Sequence, residues 1–350
     1  MARAKITDVA KAAGVSVATV SLVLNNAPSR ISEETRQRVQ RAADELSYRP
    51  SSAARGLRTQ RTNTVGVISD VIASTPFAGR MIAGVQDAAR EHGFLVFIAD
   101  TNGDPDVEAA AIEAYVDQQV EAMIYACMWH QVVPAPAGLL PGTVFLDCRP
   151  VGGGYPAVVP DDFAGGGAAT RELIDAGHTR IAYVDAAQPG PVASELRHAG
   201  YRSALEGAGL AVDPRLHVIA DVSAQGGCRA VETLLGLPET QRPTGVFFFN
   251  DRQAAGAYLA AHRLGFDIPT ELSVVGYDDQ QFVAAEQDPP LTTVALPHYE
   301  MGRWAMEAAL GVGGAAAGPD DTYLMPCPVR RRASVGSPPA GSNGRRRSTS

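Results

Sequence analysis

Residues 6–25 read ITDVAKAAGVSVATVSLVLN, and their apolar side chains fall into two helical runs. The first run ends at Gly14, which can adopt the left-handed backbone conformation of a sharp turn. Ser16 can cap a second helix that begins near Val17, because its hydroxyl can accept a hydrogen bond from a free amide of the first turn. A third helix is predicted after Ser32, in SEETRQRVQRAADELSY. This pattern predicts a helix-turn-helix, in which the second helix enters the major groove of DNA.

The charge of the chain is unevenly distributed. Residues 1–61 carry 11 Lys and Arg against 5 Asp and Glu, a net charge of +6, whereas the whole chain has a net charge of −8. The remaining residues therefore carry −14. A basic segment on an acidic body is typical of a protein that meets a polyanion at one end. A basic helical bundle with no role on DNA is the alternative.

The segment SSAARGLRTQRT, residues 51–62, connects this region to the rest of the chain. It contains helix-forming residues, but it is too short to be a stable helix alone in water. We therefore expect it to become helical only when a partner holds it. Gly56 lowers its helix propensity and leaves a plain basic linker as the alternative.

From residue 64 onward, short apolar runs alternate with amphipathic helices, which predicts parallel sheets covered on both faces. The alternation stops in the Gly- and Pro-rich stretch 149–160 and then restarts, so two similar doubly wound lobes are expected. Ligands of such sheets bind beyond the carboxyl ends of the strands. Polar residues that end or follow predicted strands are Asp70, Asp100, Asp147, Asp185, Asp221, Asn250 and Asp278. Each of them can also be a turn former or a helix cap.

The chain resembles the LacI/GalR family of repressors in two parts. DVAKAAGVSVATVSLVLNN and ISEETRQRVQRAADELSYRP look like the DNA-binding domain of that family. AGHTRIAYV, LRHAGYRSAL, FFFNDRQAAGAYLAAHRLGFDIPTELSVVGYDD and PPLTTV are similar to its effector-binding core, which itself resembles periplasmic sugar-binding proteins. The resemblance covers about residues 5–335. It implies an α/β fold with two doubly wound parallel-sheet lobes of the periplasmic-binding-protein type I, preceded by an all-α helix-turn-helix domain.

The resemblance also implies an order of domains. A helix-turn-helix domain is expected over 1–50, a hinge helix and linker over 51–62, an effector-binding core over 63–335 and a disordered tail over 336–350. Within the core, one lobe takes about 63–160 and 291–323, and the other takes about 161–290 and 324–335. The Pro-, Ser- and Arg-rich sequence beyond residue 330 predicts disorder. It lacks the apolar heptads of a tetramer-forming zipper, so a homodimer is expected.

By the same resemblance, the base-reading positions are Val17, Ala18 and Leu22. Positions expected to contact phosphates are Ser16, Thr19, Ser21 and Asn25. In the hinge helix, Arg55 and Leu57 are expected to enter the minor groove, with Leu57 as a wedge that kinks the duplex. Leu22 departs from the arginine that is frequent at its position, and it can offer only apolar contact. The expected partner is therefore a pseudo-palindromic double-stranded operator whose sequence cannot be copied from the family.

In the core, the resemblance places a pocket arginine at Arg197, a pocket asparagine at Asn250 and a sugar-gripping aspartate at Asp278. Asp70 and Phe77 are expected in the opposite wall. A guanidinium and a carboxylate can each engage two neighbouring hydroxyls, which indicates a sugar or sugar derivative as effector. Further rings that could stack on a sugar are Trp129 and Phe282. Val222 stands where the family often has an aromatic residue, so a non-sugar effector such as a nucleobase is the alternative.

The sequence lacks the patterns of a cofactor enzyme or an exported protein. Its four cysteines form no CxxC pair, and its seven histidines form no HxxxH pair. No phosphate loop, dinucleotide fingerprint, nucleophile elbow, signal peptide or long apolar run is present. We therefore expect a cytoplasmic regulator with no cofactor, no metal, no catalytic activity and no membrane contact. The alternatives are a solute-binding receptor without a DNA role and an α/β enzyme acting on a sugar or nucleotide.

Overall fold

The computed structural model describes residues 4–24, 30–48, 61–72, 79–187, 192–312 and 321–339. The chain divides into two compact units, Met1–Asn63 and Thr64–Ser350. The helices within the described residues are α1 (Ile6–Ala13), α2 (Val17–Leu24), α3 (Glu33–Glu45), α4 (Gly79–Glu91), α5 (Pro105–Asp117), α6 (Asp162–Asp175), α7 (Val192–Gly207), α8 (Ala224–Leu235), α9 (Asp251–Leu264) and α10 (His298–Leu310). The strands are β1 (Thr64–Ser69), β2 (Leu95–Asp100), β3 (Ala122–Val133), β4 (Val144–Pro150), β5 (Ala157–Pro160), β6 (Ile181–Ala186), β7 (His217–Ala220), β8 (Gly245–Phe248), β9 (Ser273–Asp278), β10 (Thr292–Ala295), β11 (Thr322–Met325) and β12 (Val329–Arg330).

Three helices pack around a small core in the first unit. Gly14 has a φ of 63°, in the left-handed region, and the chain turns there so that α1 and α2 lie at 101° to each other. Val9, Val20 and Val39, one from each helix, are completely buried together. The predicted helix-turn-helix arrangement is confirmed.

Local side-chain caps fix where two of these helices begin. The backbone amide of Thr19 donates to Oγ of Ser16 over 3.1 Å, at the start of α2. The amide of Thr35 donates to Oγ of Ser32 over 3.3 Å, at the start of α3. Each cap satisfies an amide that has no partner within its own helix, which explains why the sequence predicted both helix starts.

The second unit contains two six-stranded sheets, each the centre of one lobe. The first lobe has the strand order β11-β5-β4-β3-β1-β2, and the second has the order β12-β10-β9-β8-β6-β7. All recorded pairings are parallel except that of β10 with β12. Helices cover the sheets, so β1, β6, β8 and β9 are buried along their whole length. The predicted pair of doubly wound lobes is confirmed.

The chain passes between the lobes at three places, one of which differs from the predicted boundaries. The crossing after β5 lies at residue 160, as expected. However, β10 pairs with β9 in the second lobe, although residues 291–323 were assigned to the first lobe. β11 pairs with β5 in the first lobe, so the last crossing follows Met325, within two residues of the expected boundary. The amino-acid pattern of a short buried strand such as β10 does not specify which of two sheets receives it, and this explains the difference.

The segment 331–339 docks on the second lobe, which corrects the expectation of disorder beyond residue 330. Oγ of Ser334 donates to the carbonyl of Val274 over 2.6 Å and accepts from the amide of Thr292 over 2.8 Å. The carbonyl of Gly336 lies 2.9 Å from Nε2 of His178. Polar groups of the second sheet thus hold a segment whose own composition is typical of a disordered tail. Residues 340–350 lie outside the described residues.

Among the described residues, no single helix is long and apolar enough to cross a membrane. Helices α1 and α2 would meet such a test of length and composition only if taken together across their bend.

Candidate functional site

The exposed face of α2 carries the predicted base-reading side chains. Val17 is 41% exposed, Leu22 is 37% exposed, and Ala18 is exposed beside them. On the opposite face, Val20 and Val23 are buried in the three-helix core. No charged residue occurs anywhere in α2. The helix therefore presents an apolar, uncharged surface to solvent.

The side chains predicted to contact phosphates lie at the start of the same helix. The hydroxyls of Ser16 and Thr19 are 2.9 Å apart, and Ser16 also caps α2. Ser21 is half-buried on the next turn. Three other predicted DNA contacts, Asn25, Arg55 and Leu57, lie outside the described residues. All of these assignments stay predictions.

In the second unit, a small cavity of about 10 Å³ lies where the two lobes meet, and a ligand larger than a water molecule can enter it only when the lobes separate. The first lobe contributes β3, β4 and the end of β5, and the second contributes α7 and the end of β9. The residues that line it are Met128, Trp129, His130, Asp147, Pro160, Ala193, Arg197, Asp278, Leu296 and His298. Two of the lining residues, Pro160 and Asp278, end strands, where ligands of parallel sheets bind.

Close contact between α6 and α7 positions Arg197 in this wall. A Cβ atom at Gly166 of α6 would collide with the backbone of Arg197, and one at Gly200 of α7 would collide with the backbone of Phe163. Glycine at both positions therefore lets the two helix backbones touch. As a result, Arg197 lies directly beside Asp162, the first residue of α6.

Arg197 is buried, and most of its guanidinium nitrogens contact acceptors within the protein. Its Nε donates to Oδ1 of Asp162 over 2.7 Å, and its Nη1 donates to the carbonyl of Phe249 over 2.6 Å. The guanidinium carbon lies 3.6 Å from the ring centroid of Tyr277. Within the described part of the chain, no protein acceptor takes a hydrogen bond from Nη2. This nitrogen is therefore left for a ligand.

Asp278 ends β9 next to this arginine. Its Oδ1 lies 3.7 Å from Nη1 of Arg197, and its Oδ2 accepts from Nε2 of Gln280 over 2.7 Å. Burial raises the pKa of Asp278 to about 6, although the charge of Arg197 opposes that rise. Its φ of 102° is rare for a residue with a side chain. Such strain is typical of sites where a side chain must point at a ligand.

Asp147, in β4 of the first lobe, faces Arg197 across the cavity. Burial, and then the charge of Asp162, raise the pKa of Asp147 well above its ordinary value. Its Oδ1 is buried and has no hydrogen-bond partner in the protein. Its φ of 56° lies in the left-handed region. The raised pKa favours the protonated form of Asp147, and one oxygen of this carboxyl is unpaired at the cavity.

The sequence marked Asp147 as a strand end but did not select it, and it missed two further residues. Nδ1 of His130 lies 2.8 Å from Oδ2 of Asp162, so Asp162 joins His130 of one lobe to Arg197 of the other. Burial alone would raise the pKa of Asp162, but Arg197 and His130 outweigh it and hold that pKa below its ordinary value. Asp162 therefore stays ionised. The sequence did contain signals for both residues. Asp162 is one of two adjacent acids in PDDF, and His130 is a polar residue in the apolar run AMIYACMWH.

Two of the five predicted effector residues, Arg197 and Asp278, thus meet at the cavity. Asp70 follows β1, and its carboxylate accepts from the amides of Val71 and Met128, so it braces the cavity wall at Met128. Burial raises the pKa of Asp70 against these backbone hydrogen bonds. Neither Asp70 nor Asn250 lines the cavity.

Asn250 is completely buried as the cap of α9. Its Oδ1 accepts from the amide of Gln253 over 2.8 Å, and its Nδ2 donates to the carbonyl of Val222 over 3.1 Å. A direct role for this amide in binding an effector therefore stays an untested prediction, with its present contacts already explained by helix capping.

The candidate aromatic residues have different locations. Trp129 lines the cavity, whereas Phe282 is 79% exposed and does not. Phe77 lies outside the described residues. Of the rings proposed for stacking, Trp129 is thus placed for that role.

Comparison with known proteins agrees with both units. Residues 5–51 match the family described as bacterial regulatory proteins, lacI family, and residues 170–335 match the periplasmic binding protein-like domain. The ribose operon repressor of Escherichia coli K12 is 35% identical over 314 residues, which cover 88% of this chain and 92% of that protein. The transcriptional regulator GalR of the same organism is 36% identical over 342 residues, 96% of each chain. A solved complex of the regulator CelR with cellobiose is similar with a TM-score of 0.64 and 29% identity, covering 95% of this chain and 100% of that one.

The two matched domains occur in the order that the fold requires, with a helix-turn-helix before a two-lobed core. The curated relatives align over most of their own length and are regulators of transcription. The chain therefore belongs to the LacI family of DNA-binding bacterial regulatory proteins.

Proposed function

We propose that this protein is a homodimeric repressor whose hold on an operator is controlled by a sugar or sugar derivative bound between its two lobes. The observation that carries the effector site is the group formed by Arg197, Asp278 and Asp147 at the interlobe cavity. It offers a free guanidinium nitrogen, an ionisable carboxylate and a carboxyl of raised pKa with an unpaired oxygen. Binding alone, without catalysis, is the proposed activity, and the cytoplasm is its proposed location.

The chemistry of this group suits vicinal hydroxyls. Nη2 of Arg197 can donate to one hydroxyl oxygen while Asp278 accepts from a neighbouring hydroxyl, and charge-assisted hydrogen bonds of this kind are stronger than neutral ones. Asp147 can donate in its protonated form, which its raised pKa favours. The indole of Trp129 can cover the less polar face of a ring. The names of similar proteins support the same class, since they refer to ribose and to cellobiose.

A DNA role follows from the exposed face of α2 and from the family. Val17, Ala18 and Leu22 can contact thymine methyl groups and the edges of bases, and they cannot make the paired hydrogen bonds of arginine with guanine. We infer that part of the sequence preference comes from DNA deformability, through the predicted minor-groove contacts of Arg55 and Leu57.

A dimer is supported by the edge of the first lobe. Strand β2 ends that sheet, and Leu95 on it is 67% exposed. An exposed apolar edge strand is a liability unless another chain covers it. Two copies would also supply the two helix-turn-helix units that a pseudo-palindrome requires.

The DNA proposal is tested by selection from a pool of random duplexes with the full-length protein. We expect enrichment of a pseudo-palindrome, with an affinity that falls steeply as salt rises because phosphate contacts release counterions. Failure to enrich any sequence at low salt would contradict it and would favour a solute receptor.

The effector proposal is tested by a thermal-shift screen against sugars and purines, because a ligand of the native state raises its melting temperature. Asp147→Asn keeps a donor at the cavity, and Asp147→Gly removes it while tolerating the same backbone conformation. We expect Asn to retain binding of the identified sugar and Gly to weaken it by on the order of tenfold. If a purine raised the melting temperature and no sugar did, the proposed effector class would be wrong. Chemical conversion of a bound compound would favour the enzyme alternative.

The coupling itself is tested by measuring operator affinity with and without the identified effector. We propose that closure of the lobes around the effector alters the spacing of the two 51–62 segments in the dimer. Effector and operator must then change each other's affinity by the same factor. Equal operator affinity in both conditions would contradict the proposal.

A further inference from the structure

A cluster of metal-ligating side chains lies in the second lobe, apart from the residues that line the interlobe cavity. Asp185 is near the end of β6, His198 is on α7 and His217 begins β7. One ligand atom from each side chain lies within 4.8 Å of the other two. The three residues come from different elements, so the fold rather than local sequence brings them together.

The two imidazoles and the carboxylate face one another directly. Nε2 of His217 lies 3.1 Å from Oδ2 of Asp185. The rings of His198 and His217 stack with centroids 4.0 Å apart. Within the part of the chain that the structure describes, no hydrogen bond occupies a ring nitrogen of His198. One of the three ligands therefore has its nitrogens uncommitted.

Other groups hold the carboxylate so that one oxygen remains directed at the histidines. Oδ1 of Asp185 accepts from Oγ of Ser194 over 2.7 Å, from the amide of Ala186 over 2.7 Å and from the hydroxyl of Tyr183 over 3.1 Å. Outer contacts of this kind orient metal-ligating carboxylates and keep them ionised. Because these hydrogen bonds already stabilise the carboxylate through Oδ1, its other oxygen, Oδ2, can bind an ion.

We propose that Asp185, His198 and His217 form a binding site for a divalent transition-metal ion of the zinc type. Two imidazole nitrogens and one carboxylate oxygen are a donor set that suits Zn²⁺, Co²⁺, Ni²⁺ and Cu²⁺, whereas Mg²⁺ and Ca²⁺ prefer oxygen ligands. Three protein ligands leave a fourth position for water. The side chain of His217 is 24% exposed and that of Asp185 is 8% exposed, which leaves the site open to an ion on one side.

The fit requires the ring of His198 to turn out of its stack with His217, because the lone pairs of stacked imidazoles lie in nearly parallel planes. Bonds of about 2.0–2.1 Å in a tetrahedral site separate ligand atoms by roughly 3.3 Å. The 3.1 Å between Asp185 and His217 already meets that value, and rotation of His198 can shorten the remaining separation. The ion would take the place of any proton that His217 and Asp185 share, so this proton is released or moves to the other ring nitrogen.

The test uses full-length protein without a histidine tag, freed of metal with a chelator and titrated with Co²⁺, whose visible absorption reports four-coordinate binding. We expect saturation at one ion per chain, displacement by Zn²⁺, and a higher melting temperature with either ion, since both bind only the folded cluster. An equal excess of Mg²⁺ should cause neither change. Absence of a saturable visible band, or an equal response to Mg²⁺, would overturn the proposal.

The variants His198→Gln and His217→Gln assign the site. Each should weaken Co²⁺ binding by on the order of tenfold to a hundredfold, because each removes one ligand from the ion. His262→Gln, at an exposed position of α9, is the matched control and should bind as the original chain does. Because the ring of His198 stacks on His217, its replacement should lower the metal-free melting temperature, so Co²⁺ affinity is compared at a temperature where all variants are folded. Unaltered Co²⁺ affinity in both cluster variants would show that the ion binds elsewhere.

Discussion

The exposed face of α2 and the interlobe cavity differ in charge and in burial. The side of α2 that is predicted to face DNA is exposed and uncharged, with Val17 and Leu22 as its largest side chains. The effector cavity is buried, and Arg197 lies there beside the carboxylates of Asp162 and Asp278. Charge is thus concentrated in the buried cavity and is absent from the helix that is predicted to contact DNA.

This difference separates two ways of obtaining selectivity. A buried charge must be paired, so a cavity that leaves one donor of a cation free discriminates strongly between ligands that can and cannot accept from it. An apolar exposed helix discriminates weakly by contact and depends on shape and on contacts elsewhere. We therefore expect substitutions in the cavity to change stability and binding by several kcal/mol, and substitutions on α2 to change mainly the choice of DNA sequence.

The largest effect is expected from Arg197→Met. Removing the guanidinium leaves the carboxylates of Asp162 and Asp278 buried without their cation, which typically costs about 3–5 kcal/mol. Urea unfolding of the full chain should show this loss in the transition of the second unit. Arg202→Met on the same helix is the control, because Arg202 is exposed and its ion pair with Glu206 should contribute less than about 1 kcal/mol. Equal stability of the two variants would contradict the charged character of the cavity.

The next effect concerns pH and Asp278. Because burial raises its pKa to about 6, the native state holds this proton more tightly than the unfolded chain does. The resulting stabilisation is present below the ordinary pKa of an aspartate and is lost as pH rises through 6. Relative to Asp278→Asn, the original chain should therefore lose about 2 kcal/mol between pH 4 and pH 7. A stability difference that is constant over that range would show that Asp278 is not buried as described.

The same contrast explains what the sequence could predict. The first unit was predictable almost to the residue because Gly14, Ser16 and Ser32 define turns and helix starts by local chemistry. The alternation of strands and helices also identified both lobes. The four-residue strand β5 was missed because it lies in a Gly- and Pro-rich stretch and is too short to show a pattern.

The candidate site was predictable only in part, because its members meet through tertiary structure. Arg197 and Asp278 came from a resemblance, and their pairing is a fact of three dimensions. Asp162 was missed since its importance lies in joining Arg197 to His130, residues far apart in the sequence. Nor could a sequence distinguish Asn250 as a helix cap from Asp147 as an unpaired acid, because burial and free lone pairs depend on the assembled fold.

A smaller effect is expected from Leu22→Arg, which would give α2 the charge that it lacks. An arginine there can donate two hydrogen bonds to guanine and should add about 1–3 kcal/mol of discrimination for a guanine at the contacted position. Stability should not change, because Leu22 is exposed. Selection from random duplexes with both proteins provides the measurement. An equal gain in affinity for all sequences would mean that this position contacts only phosphate, which would weaken the contrast between the two surfaces.

The smallest effect is expected from Ser16→Ala, which tests whether Ser16 contacts DNA in addition to capping α2. Ser16→Ala and Ser32→Ala each remove a hydroxyl that caps a helix, so each should destabilise this unit by about 1 kcal/mol. Ser16 is also predicted to contact a phosphate, whereas Ser32 precedes α3. At a temperature where both variants remain folded, only Ser16→Ala should weaken DNA binding, and it should do so by a similar factor for all sequences. Equal DNA affinity of the two variants would mean that Ser16 acts as a cap alone, and that the apolar face of α2 binds DNA without help from its first hydroxyl.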